Sequence, residues 1–288
     1  MSGPVEGSLV SHDAAPILSV RDVVKRFVLR RTLGDRLARR RGLTQNAVDH
    51  VSFDLARGEV LGLAGGSGSG KTTLARTLIR LVEPDEGEIL FHDADVRAAR
   101  GRELREVRRR MQMVFQDPYS SLNPRMRVGA AILEAGRVHH QPGAEDATAF
   151  VERVLDLVRL PASAAQRRPQ ELSGGQRQRV AIARALAVGP EVLIADEAVS
   201  ALDVSIQTQL LNLFLDLRDE LGLSIIFVAH QLSVIAEVAD RVAIMHEGRI
   251  VEIGSTVDVF HHPSHDYTRT LIAAHPHPRP PATAEGTK

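Results

Sequence analysis

The stretch Gly65-Gly66-Ser67-Gly68-Ser69-Gly70-Lys71-Thr72 fits the pattern G-x-x-x-x-G-K-[ST]. It follows Glu59 to Ala64, an apolar run that reads as a strand. It opens Lys71 to Val82, which reads as a helix. A strand, a tight glycine turn and a helix in this order call for an α/β sheet, with the loop at the carboxyl end of a strand. The glycines let the backbone close so that N–H groups point inward at phosphates. Lys71 would contact the β- and γ-phosphates, and the Thr72 hydroxyl would ligate Mg²⁺. A flexible Gly/Ser linker is the plainer reading. It leaves Lys-Thr at this offset, and the flanking strand and helix, without a reason.

The remaining pattern keeps to α/β alternation. Ile17 to Leu29 reads as one or two strands, Val51 to Leu55 as another, and Met111 to Phe115 as a short buried one. Val151, Val154, Leu155 and Val158 recur at helical spacing within Ala144 to Arg159, and Gln176 to Val188 is Ala- and Arg-rich and helical. Ile206, Leu210, Leu213, Phe214 and Leu217 place a further helix on the core. Ser224 to Val228, Val242 to Met245 and Arg249 to Ile253 read as strands, the last two joined by a hairpin-type turn at Glu247-Gly248. The sheet is therefore expected to be parallel at its centre.

Two more segments carry chemistry. Val192 to Ala195 is an apolar strand that ends on Asp196-Glu197. Ligands in open α/β sheets bind at that end. Asp196 would hold Mg²⁺ directly or through water, and Glu197 is placed to polarise an attacking water as general base. Leu172-Ser173-Gly174-Gly175-Gln176 puts small side chains and free N–H donors at a helix start, an anion-binding design. A chain with one phosphate cradle does not need a second. The duplication suggests a nucleotide clamped between two subunits.

Composition bounds the partners. Acids and bases balance at 36 each, so net charge does not point to nucleic acid or an anionic membrane. Arg30, Arg31, Arg36, Arg39, Arg40 and Arg41 crowd one segment, and Arg105, Arg108, Arg109 and Arg110 another. Both read as solvated surface. With no cysteine there is no disulfide and no Cys-held metal, which fits a reducing cytosol. No signal peptide is read at the N-terminus, and no apolar run approaches the roughly 18–20 residues that span a bilayer. Any membrane role is expected to run through a partner. His261, His262 and His265 lack acidic or Cys co-ligands at metal spacing, and read as a solvated terminal helix or loop.

Taken together, the loop, Gln116 after Phe115, the LSGGQ pentapeptide, Asp196-Glu197, Ser200-Ala201-Leu202-Asp203 and His230 resemble the nucleotide-binding subunit of an ATP-binding cassette (ABC) transporter. The motifs stand in that family's order, over roughly Ile17 to Tyr267. The resemblance implies a P-loop NTPase (RecA-like) core with an antiparallel β subdomain and an inserted α-helical signature subdomain. It divides the chain into a disordered 1–16, an ATPase domain over 17–255 with the helical part at about 117–189, and a C-terminal segment over 256–288 with a disordered tail. It implies ATP and Mg²⁺ as ligands. Gly65, Gly66, Ser67, Gly68, Ser69, Gly70, Lys71, Thr72 and Thr73 would bind nucleotide in one subunit, and Ser173, Gly174, Gly175, Gln176 and Asp203 would do so across a dimer. Thr72, Gln116 and Asp196 would serve the metal. His230 would hold the γ-phosphate, with Glu197, His230 and Gln116 as the catalytic set. Phe27 stands where the family stacks an aromatic on adenine; a core Phe is the competing reading.

A narrower resemblance, to the ATPases of oligopeptide/dipeptide importers, rests on Phe115 to Met126, Ser200 to Gln207, and Phe260 to Leu271 with His265-Asp266-Tyr267-Thr268. The basic insertion near Arg36 suits the second ATPase of two-ATPase importers. This implies a peripheral subunit on the cytoplasmic face of the plasma membrane. Its partners would be a second ABC ATPase, identical or related, two permeases and, indirectly, an extracytoplasmic binding protein. Nickel chelates, glutathione and opines are alternative cargoes. A non-transport ABC ATPase acting on nucleic acid or ribosomes is the competing class, and it lacks a coiled-coil insertion, a zinc-finger cysteine pair and a second cassette. A P-loop kinase leaves LSGGQ unexplained. Three positions depart from the subfamily: Gly66 for Glu, Ala198 for Pro after the catalytic Glu, and Gln231 for Asp after the His. None removes a reacting group, so hydrolysis is expected to be retained.

Overall fold

A computed structural model describes residues 15–28, 44–117, 122–200 and 202–274. The expectations for the N-terminal stretch up to residue 14, the arginines at 30–41, Ala201 and the tail from residue 276 lie outside them, as do residues 118–121 of the glutamine-loop region. Among the described residues the strands are β1 (Leu18–Val28), β2 (Thr44–Leu55), β3 (Val60–Ala64), β4 (Glu86–Phe91), β5 (Ala94–Asp95), β6 (Met111–Val114), β7 (Val192–Asp196), β8 (Ser224–Val228), β9 (Arg241–His246) and β10 (Arg249–Ser255). The helices are α1 (Lys71–Leu78), α2 (Gly101–Arg110), α3 (Val128–Val138), α4 (Ala147–Leu157), α5 (Gly174–Leu186), α6 (Val204–Leu221), α7 (Leu232–Val238), α8 (Thr256–His261) and α9 (Asp266–Ala273).

One sheet runs β10-β9-β3-β8-β7-β6 and the other β2-β1-β4-β5. The first is parallel throughout its centre and antiparallel only at the β9–β10 hairpin. The second is antiparallel. Every residue of β3, β7 and β8 is buried, as expected for strands covered on both faces. Alternate side chains go to two separate cores. Leu193, Ala195, Ile225 and Phe227 join a cluster with Phe150, Leu155, Ile182 and Phe214. Ile194, Ile226 and Val228 join another with Leu18, Leu55, Leu74, Leu78 and Ile89. Each such Leu, Ile or Phe removed from water contributes about 1.5–3 kcal/mol. Gly62 lets α7 lie against β3, because a Cβ there would come within 2.5 Å of Ile235 Cγ2.

Several expected bounds shift. The strand expected at Val51 to Leu55 begins at Thr44, because pairing with β1 extends it; Asn46 opposes Arg26. The helix expected to reach Val82 ends at Leu78, where Arg80 turns left-handed (φ 52°) and the N–H groups of Leu81 and Val82 fold back to the Arg76 carbonyl. The reading as plain solvated surface holds for Arg105, which is exposed, and is corrected for Arg108, Arg109 and Arg110. Arg108 donates to the carbonyls of Ile79 and Arg80 (3.1 and 2.7 Å), which the end of α1 leaves open. Arg109 reaches the Val188 carbonyl at 3.2 Å. Arg110 pairs with Glu191 and lies over the Phe91 ring. These arginines join the two sheets and the helical segment.

Candidate functional site

The site is assembled at the carboxyl ends of β3, β6, β7 and β8. The loop between β3 and α1 takes φ of 147° at Gly65, 77° at Gly68 and 104° at Gly70. A Cβ at Gly65 would lie 2.1 Å from the Met245 carbonyl oxygen, and one at Gly70 2.0 Å from that of Ala47. Neither position admits a side chain in this conformation. Lys71 is 5% exposed, and its ammonium donates to the carbonyls of Gly65 (2.8 Å) and Gly66 (2.9 Å) and to Ser69 Oγ (3.3 Å). Burial holds this ammonium below its ordinary pKa, and the nearby Glu197 and Asp196 partly offset that.

Asp196 closes β7 and is 2% exposed. Burial raises its carboxyl above the usual range and Glu197 adds to the rise, against the opposing Thr72, Arg76 and Lys71. Thr72 Oγ1 donates to Asp196 Oδ1 at 2.9 Å, so the two expected metal ligands already touch. A buried carboxylate beside a hydroxyl, at the mouth of a phosphate cradle, suits Mg²⁺. That cation keeps several waters and takes only one or two protein oxygens, the rest coming from phosphates. Among the described residues no group of three or more His, Cys, Asp or Glu is arranged so that it could hold a metal ion by itself.

Glu197 stands in the left-handed region at φ 49°, a conformation that costs a non-glycine residue and gathers at functional sites. Its N–H is held by the Val228 carbonyl at 2.9 Å. Its Oε2 accepts from Gln116 Nε2 at 2.8 Å and lies 3.6 Å from His230 Nδ1. The expected catalytic trio is thus one cluster, drawn from three strand ends. Ala198, the departure that frees a φ angle, is buried, and Ser200 donates from both N and Oγ to the Glu197 carbonyl (3.2 and 3.0 Å). Gln231 accepts from Gln207 of α6 at 3.3 Å.

Among the described residues no hydrogen bond joins the pentapeptide to this cluster. Ser173 caps α5 in a reciprocal box: Gln176 N donates to Ser173 Oγ (3.3 Å) and Ser173 N to Gln176 Oε1 (3.1 Å). Gly175 is buried against α6, where a Cβ would meet Ile206 Cγ2 at 2.6 Å. Ser173 and Asp203 are exposed. Phe27 is 44% exposed with Lys25 over its ring, so the core reading is excluded for it. His261 and His262 tilt toward each other with ring centroids 6.4 Å apart, and His265 Nδ1 accepts the Tyr267 N–H at 3.1 Å as the cap of α9. Two contacts on the loop had no local sequence signal: Gly248 N donates to the Ser69 carbonyl, and Tyr267 accepts from Gly66 N, each at 2.9 Å.

Comparison with known proteins fixes the family. The family model described as ABC transporter matches residues 48–200. A protein of Brucella ovis named for peptide import as its ATP-binding protein is 46% identical over 270 residues, 94% of this chain and 82% of that one. The chain belongs to the ABC transporter family. It is an ATP-binding, ATP-hydrolysing cassette. The glutathione import ATP-binding protein GsiA of Escherichia coli is 49% identical over 273 residues, 95% of this chain; the cassette spans 43% of GsiA's length. A solved structure of the ATP-binding cassette MJ0796, dimeric and bound to ADP and Pi in a post-hydrolysis state, superposes with a TM-score of 0.70 at 26% identity, covering 83% of this chain and 98% of that one. The RecA-like fold expectation agrees with these neighbours. Among the described residues no helix is long and apolar enough to cross a membrane.

Proposed function

We propose that this cassette energises an importer of the peptide class, including small peptides such as glutathione, from the cytoplasmic face of the membrane. The observation that carries the cargo class is identity at 46–49% over nearly the whole chain to proteins named for peptide and glutathione import. Residues 17–255 would be the ATPase domain, with 117–189 its helical part and the importer-type segment beginning at 256.

In the proposed mechanism the loop from Gly65 to Thr73 wraps the ATP phosphates with its free N–H groups, that of Gly66 staying with Tyr267, and Lys71 leaves its carbonyl partners for the β- and γ-phosphates. Thr72, Asp196 and Gln116 would hold Mg²⁺, which supplies charge neutralisation across the phosphate oxygens. Glu197 Oε2 takes a proton from the attacking water, with Gln116 and His230 orienting that carboxylate. His230 also faces the γ-phosphate. Phe27, exposed on β1, stacks on adenine. Ser173, Gly174, Gly175, Gln176 and Asp203 act on the nucleotide of a second cassette, identical or related. The exposure of Ser173 supports this reading, as does the dimeric MJ0796 relative. Permeases would seat a helix in the groove of about 350 Å³ between β6, α3 and α5, lined by Phe115, Glu134, Val138 and Ala185.

The test is reconstitution of the cassette with its two permeases in vesicles. A di- or oligopeptide, or glutathione, with its binding protein should stimulate ATP hydrolysis and accumulate inside. Hydrolysis that ignores every peptide tried would sink the cargo reading.

A further inference from the structure

The phosphate loop is braced from behind by residues that take no part in the mechanism above. The β9–β10 turn touches it through Gly248 N, 2.9 Å from the Ser69 carbonyl. The second brace comes from the C-terminal helix α9, 201 residues further along: Tyr267 Oη accepts from Gly66 N at 2.9 Å. The Tyr267 ring stacks on His246, centroids 3.8 Å apart and planes 24° apart. The phenol is therefore fixed by its ring as well as its hydroxyl. Position 66 leaves room for it, since a Cβ there would approach Tyr267 Oη to 3.1 Å.

The same residue faces the lysine. The Gly66 carbonyl accepts from Lys71 Nζ at 2.9 Å. Gly66 is thus bonded through its N–H to α9 and through its C=O to the phosphate-binding side chain. The start of α9 is itself pinned to β10: Glu252 accepts from Ser264 N (2.7 Å), Ser264 Oγ (2.8 Å) and His265 N (3.1 Å).

We propose that Tyr267 is a positioning residue for the ATP site, through which the docking of the C-terminal helix sets the affinity of the phosphate loop for nucleotide. The physical reason is entropic. A glycine-rich loop has the most conformational freedom to lose when a ligand arrives. A bond that restrains Gly66 beforehand lowers that cost, which is preorganisation. The net worth of such a bond corresponds to about threefold to tenfold in affinity. The inference rests on the reading of the Lys71 loop as the nucleotide cradle.

The experiment compares the full chain with Tyr267→Phe, Glu252→Gln and Lys71→Ala, reading the Kd of a fluorescent ATP analogue, KM and kcat for ATP, and the thermal midpoint. Tyr267→Phe keeps the ring against His246 and removes only the hydroxyl. Its Kd and KM should rise about threefold to tenfold, with kcat at saturating ATP and the thermal midpoint nearly unchanged. Glu252→Gln should shift Kd the same way by a smaller factor. An unchanged Kd in Tyr267→Phe overturns the proposal, as does a weakening that tracks a fallen thermal midpoint. Lys71→Ala separates the two readings. If it still binds the analogue, the cradle assignment fails; if it loses binding while Tyr267→Phe matches the native chain, only the tyrosine inference fails.

Discussion

The cassette carries two glycine clusters, 65–70 and 174–175, which look alike in sequence and are glycine for different reasons. In the first, Gly65, Gly68 and Gly70 sit at positive φ, and the loop could not take its shape otherwise. In the second, the glycines stand in the first turn of a regular helix and supply space: Gly175 lets Ile206 approach, and Gly174 leaves Leu202 Cδ2 3.3 Å from where a Cβ would be. The first cluster shares its surroundings with Lys71, Asp196, Glu197 and His230 and is a site within one chain. The second follows the exposed Ser173 cap and packs on α6 through the buried Gly175, and among the described residues no hydrogen bond joins it to that cluster. Conformation makes a cradle; close packing makes a rigid edge for something else to meet.

The largest expected effect breaks the chemistry and leaves both clusters standing. Glu197→Gln should lower turnover by on the order of 10²-fold or more while ATP still binds, as read by steady-state hydrolysis beside equilibrium binding. Turnover near the native rate would remove Glu197 from the general-base role.

Gly70→Ala tests the conformational cluster. Strain at φ 104° and the 2.0 Å approach to Ala47 should weaken ATP binding by on the order of 10²-fold in calorimetric titration. Gly175→Ala tests the packed one. Ile206 is a side chain and can yield, so the cost is about 1–3 kcal/mol in denaturant unfolding, while Gly174→Ala should stay within about 0.5 kcal/mol. Equal costs at 174 and 175 would contradict the packing account.

The smallest effect is a gain. The folded-state pKa of Asp196 is raised, so its contribution is fullest below the ordinary carboxylate pKa and is lost as pH rises through the raised value. Asp196→Asn should therefore raise the thermal midpoint of the nucleotide-free cassette by about 2–4 °C near neutral pH, fading toward acid pH. ATP hydrolysis should be lost in the same variant. A midpoint that falls at neutral pH would show that the buried charge is not a stability cost.

Much of the fold and of the candidate site is legible in the sequence. The loop at 65–72, the acids at 196–197 and the parallel sheet follow from spacing and period over short windows. Residue-scale detail was less legible. Helices α2, α3, α7 and α8 and strands β4 and β5 are not legible there, because an Arg-rich surface, a mixed segment and short elements carry little periodicity. The arginines of α2 looked solvated, since no local pattern tells that the open carbonyls at 79 and 80 lie beside Arg108.

What the sequence by itself determined is which groups are available and how the backbone must turn: a glycine loop with its lysine, a strand ending in two acids, and a capped helix at Ser173. Those depend on neighbours a few residues away. Only the tertiary structure decided which groups meet, because contact across 81 residues from Gln116 to Glu197, or 201 from Gly66 to Tyr267, is set by the order of strands in a sheet and the docking of helices on it.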